Sequence, residues 1–141
     1  MDAKDFLEQI NRIERIINAK TAEVQKLRDI LYGVSAPMSN DPVQSSKTGD
    51  RMADIIAKIV DSENEINSLI DKYIDEQREI IKVIEQLKNP LHYTVIHKHY
   101  VSNMSFVEIA AVENFSYQYI VETHGKALKE IQNILNTYEN I

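Results

Sequence analysis

Apolar residues recur in alternating steps of four and three along residues 3–31: Phe6, Ile10, Ile13, Ile17, then Lys20, Val24, Leu27 and Leu31. The same rhythm runs through residues 50–88, at Met52, Ile56, Ile59, Glu63, Ile66, Ile70, Tyr73, Gln77, Ile80, Ile84 and Leu87. Steps of four and three keep one stripe of a helix turned toward a partner, as a coiled-coil seam requires. Leu7, Ile16, Ile30, Ile55, Leu69, Ile74 and Ile81 widen the stripes, so each helix is expected to touch more than one neighbour.

Between the two runs lies GVSAPMSNDPVQSSKTGD, Gly33 to Asp50, too rich in Pro, Ser, Asn and Asp to continue a helix. The economical solution is an antiparallel hairpin over residues 1–89, with a loop at 33–49. If Leu31 meets Met52, the partners in every layer sum to the same number. Leu27 then faces Ile56, Val24 faces Ile59, Ile17 faces Ile66, Ile13 faces Ile70 and Ile10 faces Tyr73. Lys20 lands on Glu63, a pairing that helps fix the register; the plainer reading has both side chains reaching outward to water. The loop itself reads either as a binding segment at Asp41–Ser46 or as a fold-back in which Met38 and Val43 cap Leu31 and Met52. Asn89-Pro90 is expected to end the second helix, because proline pushes the preceding residue out of the helical region.

Three shorter segments fill residues 90–141. Leu91–Val101 predicts a short helix with Val95, Ile96 and Tyr100 inward. Ser105 followed three residues later by Glu108 is a capping box opening a second helix, Phe106–Glu113, which buries Ile109, Ala110 and Val112. Asn114-Phe115 makes the turn, since Asn tolerates the left-handed conformation. Ser116 caps a third helix from Tyr117 to about Asn136, with Ile120, Ala127, Leu128, Ile131 and Leu135 inward. A short helix, a tight turn and a longer helix form the arrangement that presents one helix to a DNA major groove. The fold class is therefore all-α: a long helical hairpin followed by a helix-turn-helix domain.

Residues 104–131 resemble the fourth conserved domain of bacterial sigma factors without a gap. Ser105, Glu108, Ile109, Ala110, Val112, Ser116 and Lys126-Ala127-Leu128 carry that register. Nearly the whole chain resembles a family of short phage and prophage sigma-like transcriptional regulators. Its further motifs stand here as Ala36-Pro37-Met38, Val43-Gln44-Ser45-Ser46, Met52-Ala53-Asp54 and Ala57-Lys58-Ile59-Val60-Asp61. The resemblance implies binding of double-stranded promoter DNA in the cytoplasm of a bacterial host, with RNA polymerase as a further contact. Ser105, Ser116, Tyr117, Gln118, Tyr119, Glu122 and Lys126 are then the candidate DNA-facing residues.

Composition complicates that reading. The net charge is −6, and from Pro90 onward 3 Lys face 5 Glu. Proteins that release counterions from DNA usually carry a basic patch. Sigma-like domains place arginines along the recognition helix, where this chain has Tyr117, Gln118, Tyr119, Val121 and Glu122. His99 likewise stands at a position where arginine is usual, and Lys98 where an apolar residue is. Gln118 retains the amide that reads adenine, and the tyrosine hydroxyls can donate to phosphate. The rival expectation is an interaction module, binding a host or phage protein through a helix-turn-helix that no longer contacts DNA. The wide hairpin stripes favour a homodimer in either case.

Other chemistry finds little footing. The chain has no Cys, which rules out a disulfide framework or a cysteine zinc site and suits a reducing cytoplasm. His97 and His99 point to different faces of a helix, and His92 and His99 share one without an evident third ligand, so no metal site or cofactor is expected. No nucleophile elbow, phosphate loop or acid–base carboxylate pair points to an enzyme. The N-terminal MDAKDFLEQI is acidic and amphipathic, unlike a secretory signal, and no apolar run reaches the roughly 18 residues of a membrane span.

Overall fold

The computed structural model describes residues 1–33 and 45–139, with side chains from residue 49 onward in the second stretch. All regular structure among them is helical: α1 (Ala3–Leu31), α2 (Ser45–Ile84), α3 (Pro90–Ile96), α4 (Phe106–Glu113) and α5 (Tyr117–Glu139). The expected all-α class is what the chain adopts. No helix among the described residues is long and apolar enough to cross a membrane. The A-P-M motif, Val43 and Gln44 lie outside the described residues, as does the expected capping by Met38 and Val43, while Ser45 and Ser46 already belong to α2.

By density of contact the chain divides into two compact units, Met1–Arg12 with Tyr73–Ile141, and Ile13–Lys72. In the second of these, α1 and α2 run antiparallel. Lys20 Nζ lies 2.7 Å from Glu65, and Arg28, further along α1, pairs with Glu63, earlier on α2. The expected Lys20–Glu63 partnership is thus replaced by two other ion pairs. The seam differs too. Val24 and Ile59 are buried, but Met52, Ile56 and Ile70, expected to face α1, are 42%, 48% and 38% exposed. Within this unit the protected apolar positions of α2 are Ile55, Ile59, Ile66 and Leu69, which with Ser62 also follow a 4-3 rhythm, and Glu63 is half-buried beside them. Two adjacent apolar stripes run along this helix, and a two-helix contact covers only one of them. α1 closes with Gly33 at φ 73°, a left-handed residue past the last turn where a Cβ would be strained.

The first unit holds two connected cores. Val95, Ile109, Ala110 and Ile120 are buried together, with Leu91, Met104 and Phe106 packed against them. This is the interior of α3, α4 and the start of α5. The second core gathers Ala3, Leu7 and Ile10 of α1, Ile80, Val83 and Ile84 of α2, and Ile96, Tyr100, Ala127, Ile131 and Leu135. Each fully buried aliphatic side chain contributes about 1.5–3 kcal/mol relative to exposure. Hydrogen bonds pin the same elements: the Ala3 amide donates to Gln132 Oε1 at 2.7 Å, and the Gln132 amide donates to the Met1 carbonyl at 3.0 Å.

α2 ends at Ile84, earlier than Asn89-Pro90. Leu87 is buried after the helix has stopped, because the chain turns through residues 85–88 to insert it. Asn89 and Pro90 instead begin the next helix. Asn89 Oδ1 accepts from the Leu91 amide at 2.9 Å, and proline at the first helical position sacrifices no bonded amide. The expected single helix Leu91–Val101 becomes α3 followed by one wide π turn, His97–Val101, in which the Ser102 amide donates to the His97 carbonyl at 3.1 Å.

Candidate nucleic-acid interface

α4 begins as its sequence requires. Ser105 Oγ accepts from the Glu108 amide at 3.1 Å and donates to Glu108 Oε1 at 3.0 Å, while the Ser105 amide donates back to that carboxylate at 3.4 Å. The box thereby commits the Ser105 hydroxyl within the chain. Asn114 ends the helix in the left-handed region, φ 61°, ψ 39°. Ser116 Oγ accepts from the Tyr119 amide at 3.1 Å and so caps α5.

With Ile109 and Ile120 fully buried below, the opposite side of α5 is free. Tyr117, Gln118, Tyr119, Val121, Glu122, Gly125, Lys126 and Lys129 are all exposed. Ser105 and Ser116 are exposed as well, so every sequence-selected residue lies at the surface. Gln118, Glu122, Gly125 and Lys129 follow at helical spacing along one line, flanked by Val121 and Lys126. A Cβ placed on Gly125 would meet nothing within 4 Å. Phe115 and Tyr119 stack at 4.9 Å beside this line. Val112, expected inward, is instead 56% exposed, because α4 spans only two turns and its inner side is already filled by Ile109 and Ala110.

The charge here is sparse. Lys98 is drawn to Glu113, 3.7 Å away, which leaves Lys126 and Lys129 as the outward cations of α5 beside the outward carboxylate of Glu122.

Beneath the site lies a cluster that spacing did not reveal. The buried Tyr100 hydroxyl and His124 Nε2 are 2.7 Å apart, and the rings of His99, Phe106 and His124 pack around them, with His99 stacked on Phe106 at 4.2 Å. Burial pushes the Tyr100 hydroxyl upward, assisted by Glu8 and Asp2. Burial also lowers His124 to about 4, with smaller contributions from His99 and Lys4. His124 is therefore neutral, and the tyrosine donates to it. His99 Nδ1 sits 2.8 Å from the Met104 carbonyl, holding the loop before α4.

A second tie reaches α5 from the α2–α3 turn. The Lys88 amide donates to Glu130 Oε1 at 2.9 Å and His92 Nδ1 lies 3.1 Å from Glu130 Oε2. These contacts hold the Glu130 carboxyl below its usual range, the Lys88 amide foremost. The outward-facing helix is thus tied at two points along its middle, His124 and Glu130. Their one sequence signal is that α5 continues as an amphipathic helix well past the length a recognition helix needs.

A family model described as "Protein of unknown function (DUF1492)" matches residues 33–134. No curated protein and no solved structure matches the chain.

Proposed function

The chain belongs to the DUF1492 family, and on that premise we propose that it is a transcriptional regulator of phage or prophage type that binds promoter DNA through α5. The observation that carries this reading is the exposed line Gln118, Glu122, Gly125 and Lys129 on a helix whose inner side is wholly used in packing. In this reading Gln118 reads a base edge, Tyr117 and Tyr119 donate hydroxyls to phosphate, and Lys126 contributes charge. Glu122 accepts from a cytosine amine. Ser105 and Ser116 act by fixing the two helix starts. The likeness of residues 104–131 to the fourth domain of sigma factors supports the assignment and makes RNA polymerase a natural second contact, in the cytoplasm of a bacterial host.

A gel-shift series with phage upstream DNA tests the proposal. Retention at low salt that fades steeply as salt rises is the expected result. Replacing Gln118 and Tyr119 together by Ala abolishes sequence preference and leaves helicity intact. Retained preference in that double variant overturns the assignment.

One observation favours a second reading, in which the domain docks on a protein. Val107, Val112, Phe115, Tyr117 and Tyr119 are large, apolar or aromatic, and between 43% and 65% exposed, an unusual density for a phosphate-facing surface. Absence of a shift at any salt supports this alternative.

A further inference from the structure

The first turns of α5, Tyr117–Gly125 (YQYIVETHG), carry no arginine or lysine. The N-terminal turns of a recognition helix are the ones that meet base edges, and a paired contact from arginine or lysine is the commonest way to read guanine. With that contact absent, the outward chemistry left is the Gln118 amide, the Val121 isopropyl group and the Glu122 carboxylate. Val121 is apolar, 37% exposed, and packs into neither core among the described residues. At 3.6 residues per turn it stands about 60° to one side of Gln118, while Lys126, the outward cation nearest these turns, stands about 80° to the other. The cation and the apolar group thus occupy opposite flanks.

Resting on the reading that α5 enters a major groove, we propose that Val121 is a specificity-determining residue, covering the 5-methyl group of a thymine beside the adenine held by Gln118. The preferred site is then an A·T step and not a run of guanines. Thymine alone among the four bases places a methyl group in the major groove, and an apolar side chain gains by covering it. Gln118 and Val121 are about 4.5 Å apart along the helix, against about 3.4 Å between successive base pairs, so their targets are neighbouring pairs. Val121 is short and reaches a base edge only where the helix lies deep in the groove. Gly125, four residues further along the same outward side, carries no side chain to hold it off. Glu122, on the central line, repels phosphate and so turns this side of the helix toward the bases.

Duplexes retained by the full chain from a random-sequence pool at low salt supply the test. The recovered site is expected to hold adenine and thymine at neighbouring positions. Replacing each thymine of that site in turn by deoxyuridine, which lacks only the methyl group, is expected to weaken retention about fourfold at one position. In Val121→Ser the same replacement changes nothing, and the circular dichroism spectrum stays that of the parent because the position faces outward. Deoxyuridine tolerated at every thymine overturns the methyl contact while leaving α5 a DNA-binding helix, and so does a recovered site made of G·C pairs. A loss that persists in Val121→Ser moves the contact to another side chain, Tyr117 foremost, and overturns the assignment. No duplex retained at any salt overturns the DNA-binding reading of α5 and this inference with it.

Discussion

Gly125 sits in the middle of a 23-residue helix, where glycine is the costliest residue after proline. Nothing inside the molecule requires it: the helix is regular and an added Cβ meets no atom within 4 Å. Gly125→Ala is therefore expected to stabilise the fold by about 0.8–1.0 kcal/mol, the full difference in helix propensity, with no clash to set against it. For a chain of this size that corresponds to a rise in melting temperature of about 2–4 °C by circular dichroism. The same position lies on the outward line between Gln118 and Lys129, where a missing side chain lets a partner's backbone approach closely. The methyl group should therefore weaken DNA retention about tenfold, equivalent to roughly 1.4 kcal/mol, while raising stability. A variant that melts lower than the parent refutes the packing argument. One that melts higher but binds DNA equally well refutes the placement of Gly125 at the contact.

Three further expectations follow from the same geometry. Because His124 is held near 4 when folded and titrates near 6.5 when unfolded, the unfolded chain binds the extra proton in that interval. Stability is then full above about pH 6.5 and falls toward pH 4, by an amount on the order of 1–2 kcal/mol once partial solvent access is allowed for. Urea denaturation of His124→Gln, which cannot titrate, should show a shallower decline between pH 7 and 4.5, and an equally steep one contradicts the assignment. Ser105→Ala removes the two hydrogen bonds of the capping hydroxyl, leaving the backbone amide's bond to Glu108, and should cost about 1 kcal/mol of stability without changing the salt dependence of DNA retention, since the hydroxyl is committed to Glu108. A change in that salt slope would place Ser105 at the phosphates instead. Tyr100→Phe strips His124 of its donor and is expected to cost about 1 kcal/mol in the same denaturation assay, and a neutral outcome would remove the bond from the account.

The helix-turn-helix was legible because each of its parts is set locally. Ser105 and Glu108 cap each other, Asn114 takes the left-handed turn, and Ile109 and Ile120 are the deepest apolar residues at their spacings. The hairpin seam was legible only in part, because α2 carries two overlapping 4-3 patterns about 60° apart, and periodicity cannot say which one α1 occupies. Ile59 and Ile66 belong to both patterns, but taking Met52, Ile56 and Ile70 in place of Ile55 and Leu69 also displaced Lys20 from its real partner, Glu65. The stop at Ile84 was hidden for another reason. Leu87 keeps the helical rhythm in sequence, yet it reaches the core only when the helix has ended. The Tyr100–His124 and Glu130 ties span 24 to 42 residues and leave no trace in local spacing.

α5 serves two cores at once: its first turns close over Ile109, while Ala127, Ile131 and Leu135 pack among Leu7, Ile10 and Ile84. Such a shared rod makes the far ends of the sequence thermodynamic neighbours. Loosening the docked segment Met1–Arg12 would let the distal half of α5 fray, and so misalign the very surface it offers at its other end. On the proposed reading, a partner that grips α5 at Gln118 would in turn favour the docked form of Met1–Arg12.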